Sequence, residues 1–401
     1  MNLGQRQEAE KYYQMAMARI DRMTDREKYR TRGSYYLSAD NYEKAIEEYS
    51  ALVKQYPADT AAHSNLALAH LYSRNMSRAL EEGRRAIEIQ PKSVLYRNNV
   101  ALYAMYSGDF ETAAREARGV LELNPSFAKA YVALALSDLA QGRVAEAAET
   151  YRRLGAVSAR GASLAASGLA DLALYEGRTT DAIAILEKGI AGDLASSSPV
   201  AAGSKSAMLA HTRLLRGQTP QALAAADQAV SQSKDKSALF AAARVYLQAG
   251  IDSKALALAS QLGARLEPEP QAYAKLIEGE VRLKQGNARE AAKLFREAHN
   301  LVDTWLGRFD LGRAYLEAGA FTEADSEFEA CLKRRGEAAA VFLDDVPSYR
   351  YLPPVYYYLG RAQEGLKSPA ATDSYKTFLA IKEKADRDPL VGDARRHIAA
   401  R

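Results

Sequence analysis

The 401-residue sequence predicts an all-α, superhelical solenoid of about ten helix-turn-helix repeats, on three observations. Prolines recur at Pro57, Pro91 and Pro125, each 34 residues after the last. With proline at position 32, copies start at Arg26, Thr60 and Val94, and an alanine falls at position 20 of each: Ala45, Ala79 and Ala113. Position 8 is small every time, as Gly33, Ala67 and Ala101. Two antiparallel helices joined by a tight turn approach closely only where facing residues are small, with large apolar neighbours filling the gaps beside them. Composition agrees, since alanine and leucine dominate, 26 % of residues are charged and only 12 are proline.

Residues 1–25 read as the second helix of a truncated repeat, because Ala9, Tyr13 and Ala16 fall at positions 20, 24 and 27. On that reading the polypeptide is expected to continue upstream of Met1. Residues 26–161 hold four regular repeats; in the third, Gly108 supplies the turn and Asn124 with Pro125 ends the second helix. The fourth is anchored by a turn glycine and an alanine five residues on, Gly142/Ala147. Residues 162–335 hold five more divergent copies with the same anchors: Gly177/Ala182, Gly217/Ala222, Gly250/Ala255, Gly286/Ala291 and Gly319/Ala324. Copies four to eight lose the terminal proline, and the stretches "VSARGASLAASG" and "AGDLASSSPVAAGSKS" interrupt the count, so looser or differently angled helix pairs are expected there. The ninth copy is clear again, with Leu311, Gly312, Tyr315, Ala324, Phe328 and Cys331 in register.

From Trp305 to Pro353 the spacing is 48 residues instead of 34, and the excess forms an inserted tyrosine-rich loop over residues 336–352. Residues 353–401 are the final repeat and a capping helix. Pro353 and Pro354 open a helix, where a missing N–H costs nothing; Tyr356 takes its packed position 4 while Tyr357 and Tyr358 point elsewhere. The repeat is short by about one residue near Lys367 and Ser368. Asp388 then serves as N-cap for a last helix with Pro389 at its first position.

These offsets resemble the tetratricopeptide repeat, and the first copy carries Tyr29, Gly33, Tyr36, Ala45, Tyr49, Leu52 and Pro57 at signature positions. The resemblance implies a stacked array whose first helices line a concave groove for a protein or peptide partner. In that family positions 2, 5, 6, 9, 12 and 13 of the first helix meet the ligand. Carried over here, they point to Arg30, Ser34, Asn65, Leu68, Tyr72, Asn99, Leu102 and Tyr106. The amides of Asn65 and Asn99 suit an extended chain, because they both donate to and accept from a peptide unit. Leu95 and Asn99 stand where chaperone-binding members need basic residues, which disfavours a chaperone tail as ligand.

"LDDVPSYRYLPPVYYYLGRAQEGL" and "REKYRTRGSYY" also look like the repeat region attached to certain bacterial serine/threonine kinases of the eukaryotic-like type. That family implies a regulatory or sensor role, with the repeats following a kinase domain and often a membrane span. Neither is in this sequence, which has no Gly-rich phosphate loop, H-R-D or D-F-G. The compartment stays undetermined: cytoplasmic by default, extracytoplasmic if the chain is the tail of such a kinase.

Little else suggests chemistry, and no cofactor or metal is expected. The net charge of +4 leaves no footprint for nucleic acid, and no stretch approaches a membrane span, so direct membrane insertion is not expected. His63 and His70 lie at positions that normally pack, Asp344 and Asp345 read as a solvated turn or cap, and Cys331 as a packed thiol. The expectation is a non-catalytic scaffold. The tyrosine knot has two readings. Either the insertion folds back and its rings pack on the final repeats, or Tyr349, Arg350 and Tyr351 form a second partner patch, since tyrosine and arginine are enriched at binding hot spots.

Overall fold

The computed structural model of the chain describes residues 6–344 and 346–399; Asp345 and the side chain of Ala9 lie outside the described residues. Among those residues there is no strand, and the helices follow one another in antiparallel pairs. In order they are α1 (Arg6–Met17), α2 (Asp25–Ser38), α3 (Tyr42–Gln55), α4 (Thr60–Tyr72), α5 (Met76–Ile89), α6 (Val94–Ser107), α7 (Phe110–Leu123), α8 (Ala128–Ala140), α9 (Val144–Gly155), α10 (Ala159–Glu176) and α11 (Thr179–Ala195). Next come α12 (Pro199–Leu215), α13 (Thr219–Gln232), α14 (Lys236–Gln248), α15 (Asp252–Gly263), α16 (Pro268–Lys284), α17 (Ala288–Leu301), α18 (Trp305–Glu317), α19 (Phe321–Lys333), α20 (Pro353–Gly365), α21 (Ala371–Ile381) and α22 (Pro389–Ala399). The fold is an all-α solenoid of helix-turn-helix repeats. It divides into two compact units, residues 1–133 and 134–401, with the boundary inside α8.

Local chemistry explains why the helices start and stop where they do. Thr24 and Glu27 form a reciprocal capping box on α2, and Asn41, Asp59, Asn75, Ser93 and Asp109 each accept from a backbone N–H in the first turn of α3 to α7. Position 15 turns the chain between the helices of a pair in a left-handed conformation. Glycine fills it seven times, from Gly108 to Gly319, and Asp40, Arg74 and Lys367 adopt the same positive φ in the other three copies.

Where position 8 is glycine, as in the first and ninth copies, an aromatic ring at position 24 explains it. A Cβ on Gly33 would come within 2.8 Å of Tyr49, and one on Gly312 within 2.7 Å of Phe328; both rings are fully buried. The recurring proline also has a partner. His63 Nε2 lies 3.0 Å from Pro57 O, Arg97 Nε donates to Pro91 O at 2.7 Å, and Tyr131 Oη to Pro125 O at 2.9 Å. Each donor sits at position 4 of the following copy, so one repeat caps the exposed carbonyl that ends the last.

In the middle copies the helices are longer than the repeat spacing predicts. The low-complexity stretches are helical: they lengthen α10, α11 and α12 to 18, 17 and 17 residues, and the chain turns between the last two at Ser197, φ +54°. Alanine-rich sequence has high helix propensity, and without proline nothing stops these helices early. In α20, Tyr357 is buried, contrary to expectation, with its hydroxyl donating to Asp393 of α22 at 2.6 Å.

Candidate functional site

In the first unit the expected groove residues lie on α2, α4 and α6. Arg30 is exposed and donates to Asp59, which also accepts from Arg26 and caps α4. Ser34 and Asn65 converge on one atom, the buried hydroxyl of Tyr49, at 2.8 and 3.0 Å. Burial pushes that phenol up to about 12, against the hydrogen bonds from Ser34 and Asn65. The Asn65 amide nitrogen is thus engaged, whereas Asn99, half-buried on α6, has no hydrogen-bond partner among the described residues. Leu68 and Leu102 are half-buried, Tyr72 is 39 % exposed and stacks on Tyr42 at 5.3 Å, and Tyr106 is buried.

In the second unit the inserted segment does not rest on the final repeats alone. It runs back as a strap, with 3₁₀ turns at Glu337–Ala340 and Tyr349–Tyr351, and reaches α10, α14 and α16. Phe342 packs edge-on against Phe240 and tilted against Tyr273 at 5.9 and 5.0 Å, and Tyr349 stacks on Tyr175 at 5.6 Å. The buried Asp171 carboxylate accepts from the Tyr349 N–H at 2.9 Å, the Arg350 N–H at 3.3 Å and the Arg350 guanidinium at 2.8 Å. Tyr349 is 1 % exposed and Arg350 is ion-paired, while Tyr351 lies under the Arg350 guanidinium at 4.6 Å. The first reading of the knot, packing, describes where these side chains are. Their partners are farther back in the chain than the sequence suggested, because a carboxylate buried on α10 needs the charge the strap brings.

Two further polar groups organise this unit. Arg244 grips Asp310 through two bonds of 3.1 and 3.2 Å, and Arg313 grips Glu280 at 2.9 and 3.1 Å while also reaching Asp310. The turn between α21 and α22 docks on the start of α11. There the Asp386 carboxylate accepts from the backbone and hydroxyl of both Thr179 and Thr180 and from Arg216. Lys382 donates to Leu174 O at 2.8 Å, and a Cβ on Gly177 would meet Ala385 at 2.6 Å. Asp386 thereby caps a helix whose own N-cap, Arg178, makes no side-chain cap bond.

The remaining sequence candidates are structural in their contacts. His63 Nδ1 lies 2.6 Å from Glu82, His70 is held low by burial, and Cys331 is buried with its sulfur 3.8 Å from Trp305 O. Asp344 accepts from the Val346 N–H, as a turn residue does. Among the described residues no group of three His, Cys, Asp or Glu side chains could hold a metal ion, and no helix is long and apolar enough to cross a membrane.

The tetratricopeptide repeat family model matches residues 30–94 and 101–161. Over these residues the chain is similar to tetratricopeptide repeats. Among solved structures, a tetratricopeptide repeat protein from Parabacteroides merdae is 17 % identical, covering 72 % of this chain and 98 % of its own, with a TM-score of 0.41. The MamA protein is 16 % identical over 43 % of this chain and 94 % of its own, TM-score 0.38. The human IFIT1 dimer with m7Gppp-AAAA is 16 % identical over 94 % and 86 %, TM-score 0.45. No curated protein matches the chain.

The repeat register extends the position-9 series along the whole array. Position 9 runs Ser34, Leu68, Leu102 and Leu136 in the first four copies, then Asp171, His211, Arg244, Glu280, Arg313 and Arg361. Position 9 therefore changes along the copies from mostly apolar to mostly charged. Burial, with Arg350, Arg244 and Lys382 nearby, holds His211 neutral, down to about 3. The signal for these residues lies in the repeat spacing beyond the third copy.

Proposed function

We propose that the first unit binds a protein partner as an extended segment along α2, α4 and α6, and that the chain is a non-catalytic interaction scaffold. Tetratricopeptide repeats generally mediate protein–protein interactions, which supports the class of partner. The observation that carries the reading is Asn99: a half-buried amide with no partner among the described residues, on a helix that also presents half-buried Leu102. An amide left unbonded in a partly desolvated groove gains a donor and an acceptor when a peptide backbone arrives. Leu68 and Leu102 would supply apolar contact, and Tyr72 and Arg30 a rim.

The test is a pull-down with the intact chain, comparing wild type with Asn99→Ala and identifying bound proteins by mass spectrometry. Asn99→Ala is preferred to Asn65→Ala, because removing Asn65 also strips a donor from the Tyr49 hydroxyl. A partner lost from Asn99→Ala at unchanged helicity is the expected outcome; a partner kept by it would move binding away from this groove. A kinase-linked sensor role rests on the sequence phrases alone, and a kinase reading frame fused upstream is what would establish it.

A further inference from the structure

We propose that the strap of the second unit is a peptide ligand held in cis, and that α10 carries a recognition site for a Tyr-Arg segment in a 3₁₀ turn. This goes beyond the first-unit reading and does not depend on it. The contacts are those of a bound peptide. Asp171 accepts from two successive backbone N–H groups, those of Tyr349 and Arg350, and from the Arg350 side chain. Tyr175 stacks on the Tyr349 ring, and the Arg350 guanidinium folds back to its own segment at Pro347 O, 2.9 Å. One carboxylate thus reads backbone direction and side-chain charge together, and a ring reads the aromatic neighbour. Asp171 and Tyr175 occupy positions 9 and 13 of their repeat, on the same stripe as Ser34 and Tyr72 of the first unit.

Features of the strap fit a ligand better than a core element. Its regular elements are two short 3₁₀ turns, and Leu343 is held at φ +53°, a strained conformation for a bulky side chain. The Arg350 Nε is buried with no hydrogen-bond partner among the described residues. A segment selected only for packing would not carry a half-satisfied guanidinium into the interior. While the strap is seated the site is closed to any other Tyr-Arg segment, so this site contributes no peptide binding in the resting chain.

The experiment replaces residues 347–351 by glycine and serine of equal length within the full chain. The probe is a fluorescein-labelled peptide of residues 346–352, VPSYRYL. The replaced chain is expected to bind it, wild type is expected not to, and adding Asp171→Asn should weaken binding about tenfold or more, since charge-assisted bonds are lost. A folded replaced chain that ignores the peptide overturns the proposal. A second measurement needs no variant: in wild type, the Tyr349 and Arg350 amides should exchange hydrogen through local opening, well before those of α14 and α16. Exchange in step with those helices makes the strap ordinary core and overturns the proposal equally.

Discussion

Lys367 stands where seven repeats place a left-handed glycine, and it adopts the same conformation at φ +57°. An L-residue with a side chain is strained there, and Lys367 is exposed, so Lys367→Gly should stabilise the chain by about 1 kcal/mol in denaturant unfolding. Gly312 lies at the opposite extreme, because a Cβ there would press on the Phe328 ring at 2.7 Å; Gly312→Ala is expected to cost ~1–3 kcal/mol by the same assay. His63 adds a pH dependence. Its hydrogen bond to Glu82 raises its value, burial works against this, and Pro57 O adds to the rise. A raised folded value means stabilisation fully present below the unfolded value near 6.5 and lost as pH climbs through the folded one. Wild type should therefore lose stability across that window relative to His63→Gln, measured by urea midpoints at a series of pH values.

At the scale of elements, the helix pairs were legible in the sequence because their causes are local: a cap, a turn residue, an alanine crossing and a proline stop all fall within one repeat. The strap and the Asp386 latch were not, because each joins residues 170 to 208 apart in sequence that share no spacing rule. Arg350 could be named as a binding residue from its type alone, but its partner Asp171 could be found only by extending the groove register to copy five. The latch yields its own prediction. Burial opposes the Asp386 charge, yet the hydroxyls and backbone N–H groups of Thr179 and Thr180 outweigh it and hold the carboxyl well below the usual range. Its stabilisation is accordingly present above the unfolded value near 3.8 and lost only as pH falls through the depressed folded one. Asp386→Asn should destabilise the second unit by roughly 1–3 kcal/mol at neutral pH, read from thermal unfolding followed by hydrogen exchange of α11.

Over the whole molecule, the two units hold themselves together in different ways. In the first, each repeat bonds to the next through a proline carbonyl and a position-4 donor, so its stability is a sum of neighbour terms. In the second, α10 and α11 are bonded to the strap and to the turn before α22, so early and late repeats stabilise one another directly. Hydrogen exchange should accordingly show protection graded along residues 26–123 but near-uniform among the helices α10 to α21, the strap between α19 and α20 excepted, and Asp386→Asn should turn the uniform helix profile into a graded one.

The Asp386 bond also imposes an order of events during synthesis. Thr179 leaves the ribosome 207 residues before the carboxylate that caps its helix. At about 5–20 residues per second, the start of α11 waits roughly 10–40 s without its anion, and Asp171 waits nearly as long for Arg350. During that interval the nascent second unit displays a buried-to-be carboxylate and an uncapped helix to the cell, so its early helices are the part most exposed to chaperones and proteases. Emergence of the turn that carries Asp386, rather than completion of any one repeat, is the step that closes this unit.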